Sequence, residues 1–342
     1  MVLLLTGAAG FIGANFAHLA TARGHRVVIY DALTYAGNPK NIEGIGTFVK
    51  GDIRDASAVA RVLETKVIPG FAAGGHHAFD AIINFAAESH VDRSIASATP
   101  FVETNVLGAV TMLEMGRTHG VPLFVQISTD EVYGSIEGTA KSTFSSPLNP
   151  SSAYSASKAS ADLLLLSYHH THGMDVRVTR CTNNYGRFQH PEKFIPTILR
   201  CALTGEPIPV YGDGRQVRDW IHVDDHCEGI WSVIERGEAG GIYHFGGPGM
   251  EGNDIAHDAG VENISLIHLL LRILAERTGR KLSELTALIQ HVSDRPGHDR
   301  RYSLDWEDSR RGLGWQPQVT LEDGLRQTVD WWLANQDWWS GV

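Results

Sequence analysis

The chain has 342 residues, 43% of them hydrophobic and 20% charged, the composition of an ordinary globular protein with room for one large domain or two. A formal charge of −10 argues against a non-specific nucleic-acid binder, although backbone amides and a few arginines can still hold a phosphate. The three cysteines lack CxxC spacing, there is no basic leader, and no apolar stretch reaches the roughly 18 residues of a membrane helix, so zinc, disulfide framework and membrane span are not expected and a reduced cytoplasm fits best.

Residues 2–6 form a short apolar run of the kind found in parallel strands. Gly7-Ala8-Ala9-Gly10-Phe11-Ile12-Gly13 follows, and a helical pattern then runs from Ala14 to Arg23, ending at Gly24. Gly7, Gly10 and Gly13 divide three tasks between them: a tight turn, close approach of backbone to a pyrophosphate, and tight helix–strand packing. The helix start then faces phosphate with unpaired N–H groups. The next strand, 26–30, ends in Asp31, 18 residues after Gly13, where an acid accepts both ribose hydroxyls of NAD and repels the extra phosphate of NADP.

A third strand is expected over 48–53, placing Asp52 and Ile53 at an adenine edge; Asp52 as N-cap of a helix over 56–64 is the competing reading. Residues 66–79 read as a connecting loop. Its His76-His77 pair has no carboxylate or cysteine at ligand spacing, so no metal site is expected. The fourth strand, 81–87, ends in small Ala86 and Ala87, against which a cofactor can lie, and Ser89 and His90 follow within reach of a substrate. A helix over 100–117 carries an interior Asn105, which marks a local hydrogen bond or kink.

The apolar run 121–127 reads as a buried strand, and it delivers Ser128-Thr129-Asp130-Glu131. Acids are rarely buried unless paired or used, and ligands of open α/β sheets bind at the carboxyl ends of the strands. After a polar loop, Tyr154 and Lys158 open a helix running through Leu166, at a spacing that puts both on one face. An ammonium beside a phenol favours the phenolate and lowers its pKa, which makes Tyr154 a base usable near neutrality. A strand over 176–181 precedes a mixed region. In it, 208–211 with Gly212-Asp213-Gly214 reads as a strand and tight turn, while Arg218, Arg295 and His298 are candidates to neutralise a pyrophosphate. The terminal helix, 319–334, carries tryptophans that, with Trp338 and Trp339, close the core edge.

Several stretches together resemble one family, the extended short-chain dehydrogenase/reductases, and within it the nucleotide-sugar 4,6-dehydratases acting on dTDP-glucose. They are TGAAGFIG at 6–13, DALTYAGN at 31–38, FAAESHVDRSI at 85–95, STDEVYG at 128–134 and YSASKA at 154–159. Further on come CTNNYGRFQHPEKFIP at 181–196, YGDGRQVRDWIHVDDH at 211–226 and RPGHDRRY at 295–302. The resemblance implies a Rossmann-type doubly wound parallel sheet over 1–180, with a return segment near 221–247. It also implies a smaller mixed α/β lobe for the nucleotide sugar from 181–220 and 248–342. NAD would lie on the glycine turn, Asp31, Leu33, Thr34, Asp52, Ile53, Ala86 and Ala87, with Tyr154 and Lys158 at its reactive end. Ser89, His90, Thr129, Asn184, Glu192, Lys193, Arg218, Arg295 and His298 would contact sugar or nucleotide.

In the chemistry the resemblance implies, Tyr154, helped by Thr129 and Lys158, takes the C4 hydroxyl proton while NAD accepts the C4 hydride. Glu131 removes the C5 proton, Asp130 protonates the departing C6 hydroxyl, and the hydride returns to C6. Asp130 must then be protonated, so a raised pKa is expected for it. Related 4-epimerases share the glycine turn and Tyr-x-x-x-Lys but usually lack the Asp-Glu pair. A 4-epimerase, a dehydratase of another nucleotide sugar and a non-catalytic NAD(H)-sensing protein are the competing readings. About ten extra residues after Gly247 depart from the family pattern beside the nucleotide site and leave the base open. A homodimer through a four-helix bundle, from helices around 103–117 and 155–171, is also implied.

Overall fold

A computed structural model describes residues 1–64, 78–249 and 260–340. The expected His76-His77 pair and most of the extra segment after Gly247 lie outside them. Seven parallel strands make the central sheet: β1 (Val2–Thr6), β2 (Arg26–Asp31), β3 (Thr47–Lys50), β4 (Ala81–Asn84), β5 (Leu123–Thr129), β6 (Asp175–Cys181) and β7 (Ile242–Phe245). Their order across the sheet is β7-β6-β5-β4-β1-β2-β3. Every residue of β1, β4 and β5 is buried, as strands covered by helices on both faces require. The doubly wound α/β fold implied by the sequence is the one observed.

From the edge strand β3 the chain returns to mid-sheet, where β4 lies on the free side of β1; the strand order reverses there, and the carboxyl ends of β1 and β4 open the crevice where such folds bind ligands. Several boundaries differ from expectation. The third strand stops at Lys50, leaving Asp52 and Ile53 beyond its end. The fourth stops at Asn84, so Ala86 and Ala87 belong to a loop. Asp52 does not cap the helix Ala56–Glu64: its carboxylate is held by the Arg54 amide and guanidinium, and Asp55 accepts the Ala58 amide at 3.0 Å.

The helix expected over 100–117 is divided. Its middle, Val102–Gly108, is wound as a π-helix, a form found frequently at functional sites. Asn105 explains the winding's use. Its Oδ1 accepts the Glu88 amide at 2.8 Å, and its Nδ2 donates to the Glu88 carbonyl and to Ser157 Oγ. The side chain thereby ties the loop after β4 to helix Ala153–His172.

A second core is assembled from helices Phe194–Thr204, Asn263–Thr278 and Leu321–Ala334, beside the parallel strands Ile208–Tyr211 and Ile289–Val292. The tryptophans close its edge. Trp332 is fully buried with the Trp339 ring stacked 5.2 Å away, and Trp338 Nε1 donates to Asn41 Oδ1 at 2.7 Å, joining this core to the sheet side.

Candidate active site

The first loop is set by backbone sterics. Gly7 takes a φ of 65°, and a Cβ there would stand 2.5 Å from the Ala86 backbone. Only glycine fits a left-handed position at so close an approach. The turn, the ends of the neighbouring strands and the start of helix Ala153–His172 enclose a cleft of about 550 Å³. Its wall includes Gly7, Gly10, Phe11, Ile12, Gly13, Asp31, Thr34, Asp52, Ile53, Ala86 and Ala87. It continues through Ser89, Thr129, Asp130, Glu131, Tyr154, Lys158, Asn184 and Lys193.

Leu33, His90, Glu192, Arg218, Arg295 and His298 stand off this wall. Leu33 adopts a φ of 52° and packs into the sheet core, while its N–H donates to Asp31 Oδ1 at 2.7 Å. Glu192 gathers basic side chains: the Arg93 guanidinium lies 3.3 Å, the Lys193 ammonium 3.7 Å and the His90 imidazole 3.6 Å from its carboxylate. Arg218 is buried against the Tyr302 ring and gives hydrogen bonds to the carbonyls of Val217 and Asp299. Arg295 pairs with Asp92 at 3.3 Å and His298 with Asp294 at 2.6 Å.

The wall suits a dinucleotide. Asp31 is buried, and each carboxylate oxygen is oriented by one backbone amide, from Ala9 and Leu33, which leaves lone pairs for two adjacent hydroxyls. Thr182 Oγ1 and Asn183 Oδ1 also lie on the wall, buried and without a hydrogen-bond partner among the described residues. Buried polar groups want partners, and a ligand in the cleft supplies them. Asn184 differs from its neighbour. Its amide is already engaged by Cys181 Sγ, the Thr182 carbonyl and His226 Nδ1. The sequence reading passed over Asn183 and Thr182, although the run CTNNYG presented both beside Asn184.

At the reactive end, β5 stops at Thr129, and Asp130–Tyr133 turns as a 3-10 helix with Thr129 Oγ1 accepting the Glu131 amide. Asp130 is buried and Glu131 half-buried on the cleft wall, and they sit in different fields. Burial pushes Asp130 well above the usual carboxylate range, and the charges of Glu131 and Asp219 push the same way. Burial also raises Glu131, yet Arg218, Arg295 and Lys193 oppose it. Both carboxyls are thus shifted up, Asp130 more strongly than Glu131, and the raised pKa expected of Asp130 is present.

Tyr154 departs from expectation. Its hydroxyl is held well above the ordinary phenol range by burial and by the Glu131 and Cys181 charges, with the Thr129 hydrogen bond opposing them. The reason lies in Lys158, whose Nζ is directed to the Ile127 carbonyl at 2.5 Å. Its own pKa is lowered by burial.

The raised pKa of Asp130 has a consequence for stability. The folded state binds this proton more tightly than the unfolded chain, so stability is greatest below the ordinary carboxylate range. It is lost as pH rises from that range towards the raised value. An Asp130→Asn variant removes the carboxyl whose burial is unfavourable above the ordinary carboxylate range. It is expected to melt higher than wild type at neutral pH when free of ligand, by about 1–2 °C per kcal/mol relieved, while losing dehydration activity. Calorimetry at two pH values checks this; a lower melting temperature at neutral pH would contradict it.

Comparison with known proteins adds an independent line. A family model for GDP-mannose 4,6 dehydratase matches residues 4–328. A dTDP-glucose 4,6-dehydratase of Xanthomonas campestris pv. campestris is 45% identical over 354 residues, covering 99% of this chain and 95% of the relative. One from Streptomyces griseus is 45% identical over 346 residues, covering 98% and 95%. The crystal structure of DesIV, a dTDP-glucose 4,6-dehydratase of Streptomyces venezuelae described with NAD bound, superposes with a TM-score of 0.88. It is 46% identical and covers 100% of this chain and 99% of its own.

Proposed function

The chain belongs to the GDP-mannose 4,6-dehydratase family, and from that premise we propose that it is an NAD-dependent hydro-lyase that converts dTDP-glucose to dTDP-4-keto-6-deoxyglucose and water. The observation that carries this reading is the pair at the end of β5: two adjacent acids, Asp130 buried with its pKa pushed well up and Glu131 lining the cleft under the opposing charges of three cations, beside the half-buried Tyr154. Relatives 45% identical along nearly their whole length act on dTDP-glucose by name, which sets that sugar ahead of GDP-mannose.

NAD, when bound, would supply the acceptor for the C4 hydride and the donor that restores it at C6. The glycine turn, Asp31, Thr182 and Asn183 hold the cofactor. Tyr154, hydrogen-bonded to Thr129, takes the C4 hydroxyl proton. The resulting ketone acidifies C5–H, and Glu131 removes that proton. Asp130, kept neutral by its surroundings, protonates the C6 hydroxyl as it leaves. The segments 181–220 and 248–342 hold the nucleotide, with Arg218, Arg295 and His298 on its side of the acids. A 4-epimerase needs no C5 base, so this pair of acids has no work in that reaction. A cofactor sensor needs neither Tyr154 nor Lys158.

No helix among the described residues is long and apolar enough to cross a membrane. The three cysteines are buried and unpaired, which suits a reducing cytoplasm. Val102 and Leu107 on the π-wound helix and Leu163 on the catalytic helix are left exposed, the two leucines by more than half. Apolar residues so placed support a homodimer through a four-helix bundle. A Leu107→Glu, Leu163→Glu double variant is expected to run as a monomer in light scattering where wild type runs as a dimer; a monomeric wild type would contradict the bundle.

The test of function is incubation of purified, NAD-loaded protein with dTDP-glucose, UDP-glucose, GDP-mannose and CDP-glucose, followed by mass spectrometry. Loss of one water from dTDP-glucose, without added reductant, is the expected result. Isomerisation without water loss would mean an epimerase.

A further inference from the structure

Helix Ala153–His172 extends its buried polar face beyond the pair assigned to the reaction. Tyr154, Lys158 and Asp162 follow one another at four-residue spacing, and Asp162 is completely buried. Lys158 Nζ binds the Ile127 carbonyl, and Ser128 Oγ donates to Asp162 Oδ2 at 3.0 Å. The helix therefore grips two consecutive residues of β5, directly ahead of Thr129, Asp130 and Glu131.

Arg180 is also buried, opposite Ser128 in the β5–β6 register. Its Nε donates to the same Asp162 oxygen at 2.9 Å, and its NH1 donates to Tyr133 Oη at 2.5 Å. Tyr133 in turn lies 2.7 Å from His244 Nε2 on β7. Tyr133 ends the turn that carries the two acids, so the ion pair touches both sides of it. Asp162 Oδ1 has no hydrogen-bond partner among the described residues. A buried ion pair is weak evidence for net stability, because desolvation offsets its attraction.

We propose that Asp162 and Arg180 are positioning residues for the dehydration: they clamp the Thr129–Glu131 turn against the Tyr154 face and give Lys158 its counter-charge. This rests on the dehydratase reading. The groups that face Lys158 are Asp162 and Cys181; burial lowers its pKa and Asp162 raises it. Those that face Tyr154 are Glu131, Asp130, Cys181 and Thr129. Without the Asp162 charge, Lys158 and Arg180 are two buried cations with no common anion, and Lys158 gives up its proton at lower pH. Lys158 holds the Ile127 carbonyl two residues ahead of Thr129, so a weakened grip there loosens the turn and the Thr129 hydrogen bond that lowers the Tyr154 pKa. The acid limb of the rate profile moves up and the alkaline limb moves down.

The test uses the full chain, loaded with NAD, as Asp162→Asn, Arg180→Gln and the double variant. In Asp162→Asn, kcat is expected to fall about tenfold to a hundredfold with KM changed less than about threefold, and the acid limb to rise by about one pH unit. The double variant, which keeps one buried cation (Lys158) where Asp162→Asn keeps two, is expected to exceed Asp162→Asn in kcat. If Asp162→Asn does not fold, the double variant carries the test through the same shift of its acid limb. A folded variant with wild-type kcat and limbs overturns the proposal. Wild type inert on dTDP-glucose refutes the dehydratase reading instead. The claim about Lys158 is then read without turnover, from the titration of its Cε resonance in 13C-lysine-labelled protein. A midpoint lower in Asp162→Asn supports it, and one unchanged from wild type overturns it.

Discussion

Replacing Glu131 by Gln is expected to lower kcat for water loss by about 10²–10⁴, with little change in KM. The amide keeps the size and the hydrogen-bonding reach of the carboxylate, but it cannot accept the C5 proton. The three cations that favour ionised Glu131, namely Arg218, Arg295 and Lys193, are then left facing a neutral group, so the loss falls on the transition state in which the base acts. Exchange at C5 separates the two acids. With deuterated solvent, dTDP-glucose recovered from Asp130→Asn should carry deuterium at C5, because the base is intact and only departure of the C6 hydroxyl is slowed. Substrate recovered from Glu131→Gln should carry none. Exchange in Glu131→Gln would assign the base to another group.

The second large effect is expected at Tyr154. Tyr154→Phe removes one oxygen from a half-buried side chain on the cleft wall and leaves the ring packed edge-on near Phe101, 6.4 Å between centroids. Folding should therefore be little altered, while kcat falls by about 10²–10⁴ through loss of the base at the C4 hydroxyl. Because C4 oxidation comes first, this variant should show neither product nor C5 exchange, and that joint loss distinguishes it from Asp130→Asn. Burial and the Glu131 charge hold the wild-type phenol high, so activity should rise with pH along its acid limb. Neutralising Glu131 removes one of the groups that raise Tyr154. The C4 step in Glu131→Gln should accordingly reach its plateau at lower pH than in wild type.

The parts of this site that could be read from the chain are those written in contiguous residues. A continuous apolar run followed by Thr129-Asp130-Glu131 makes a core strand ending in acids. Gly7, Gly10 and Gly13 ahead of a helical pattern make a phosphate turn. Tyr154 and Lys158 lie on one helix face because four residues make about one turn. What could not be read depends on packing between distant segments. Asp162 and Arg180 are separated by a helix end and a strand, and only the β5–β6 register brings them together. Arg218 has the charge expected for a pyrophosphate, but its donors meet main-chain carbonyls presented by the 299–300 segment. The Lys158 ammonium was expected to lower the Tyr154 pKa; its length allows it to reach the Ile127 carbonyl instead. Asn183 and Asn184 are adjacent and chemically identical, and only the placement of His226 and Cys181 decides which amide remains open to the cleft.

The account turns on one claim: that this chain oxidises C4 of a nucleotide sugar, eliminates across C5 and C6, and restores the same hydrogen at C6. The most direct test is to supply dTDP-glucose carrying deuterium at C4 and locate the label in the product by NMR. The prediction is a 4-keto-6-deoxy sugar with deuterium at C6. Deuterium found still at C4 of an isomerised sugar, or washed out into solvent, would contradict it.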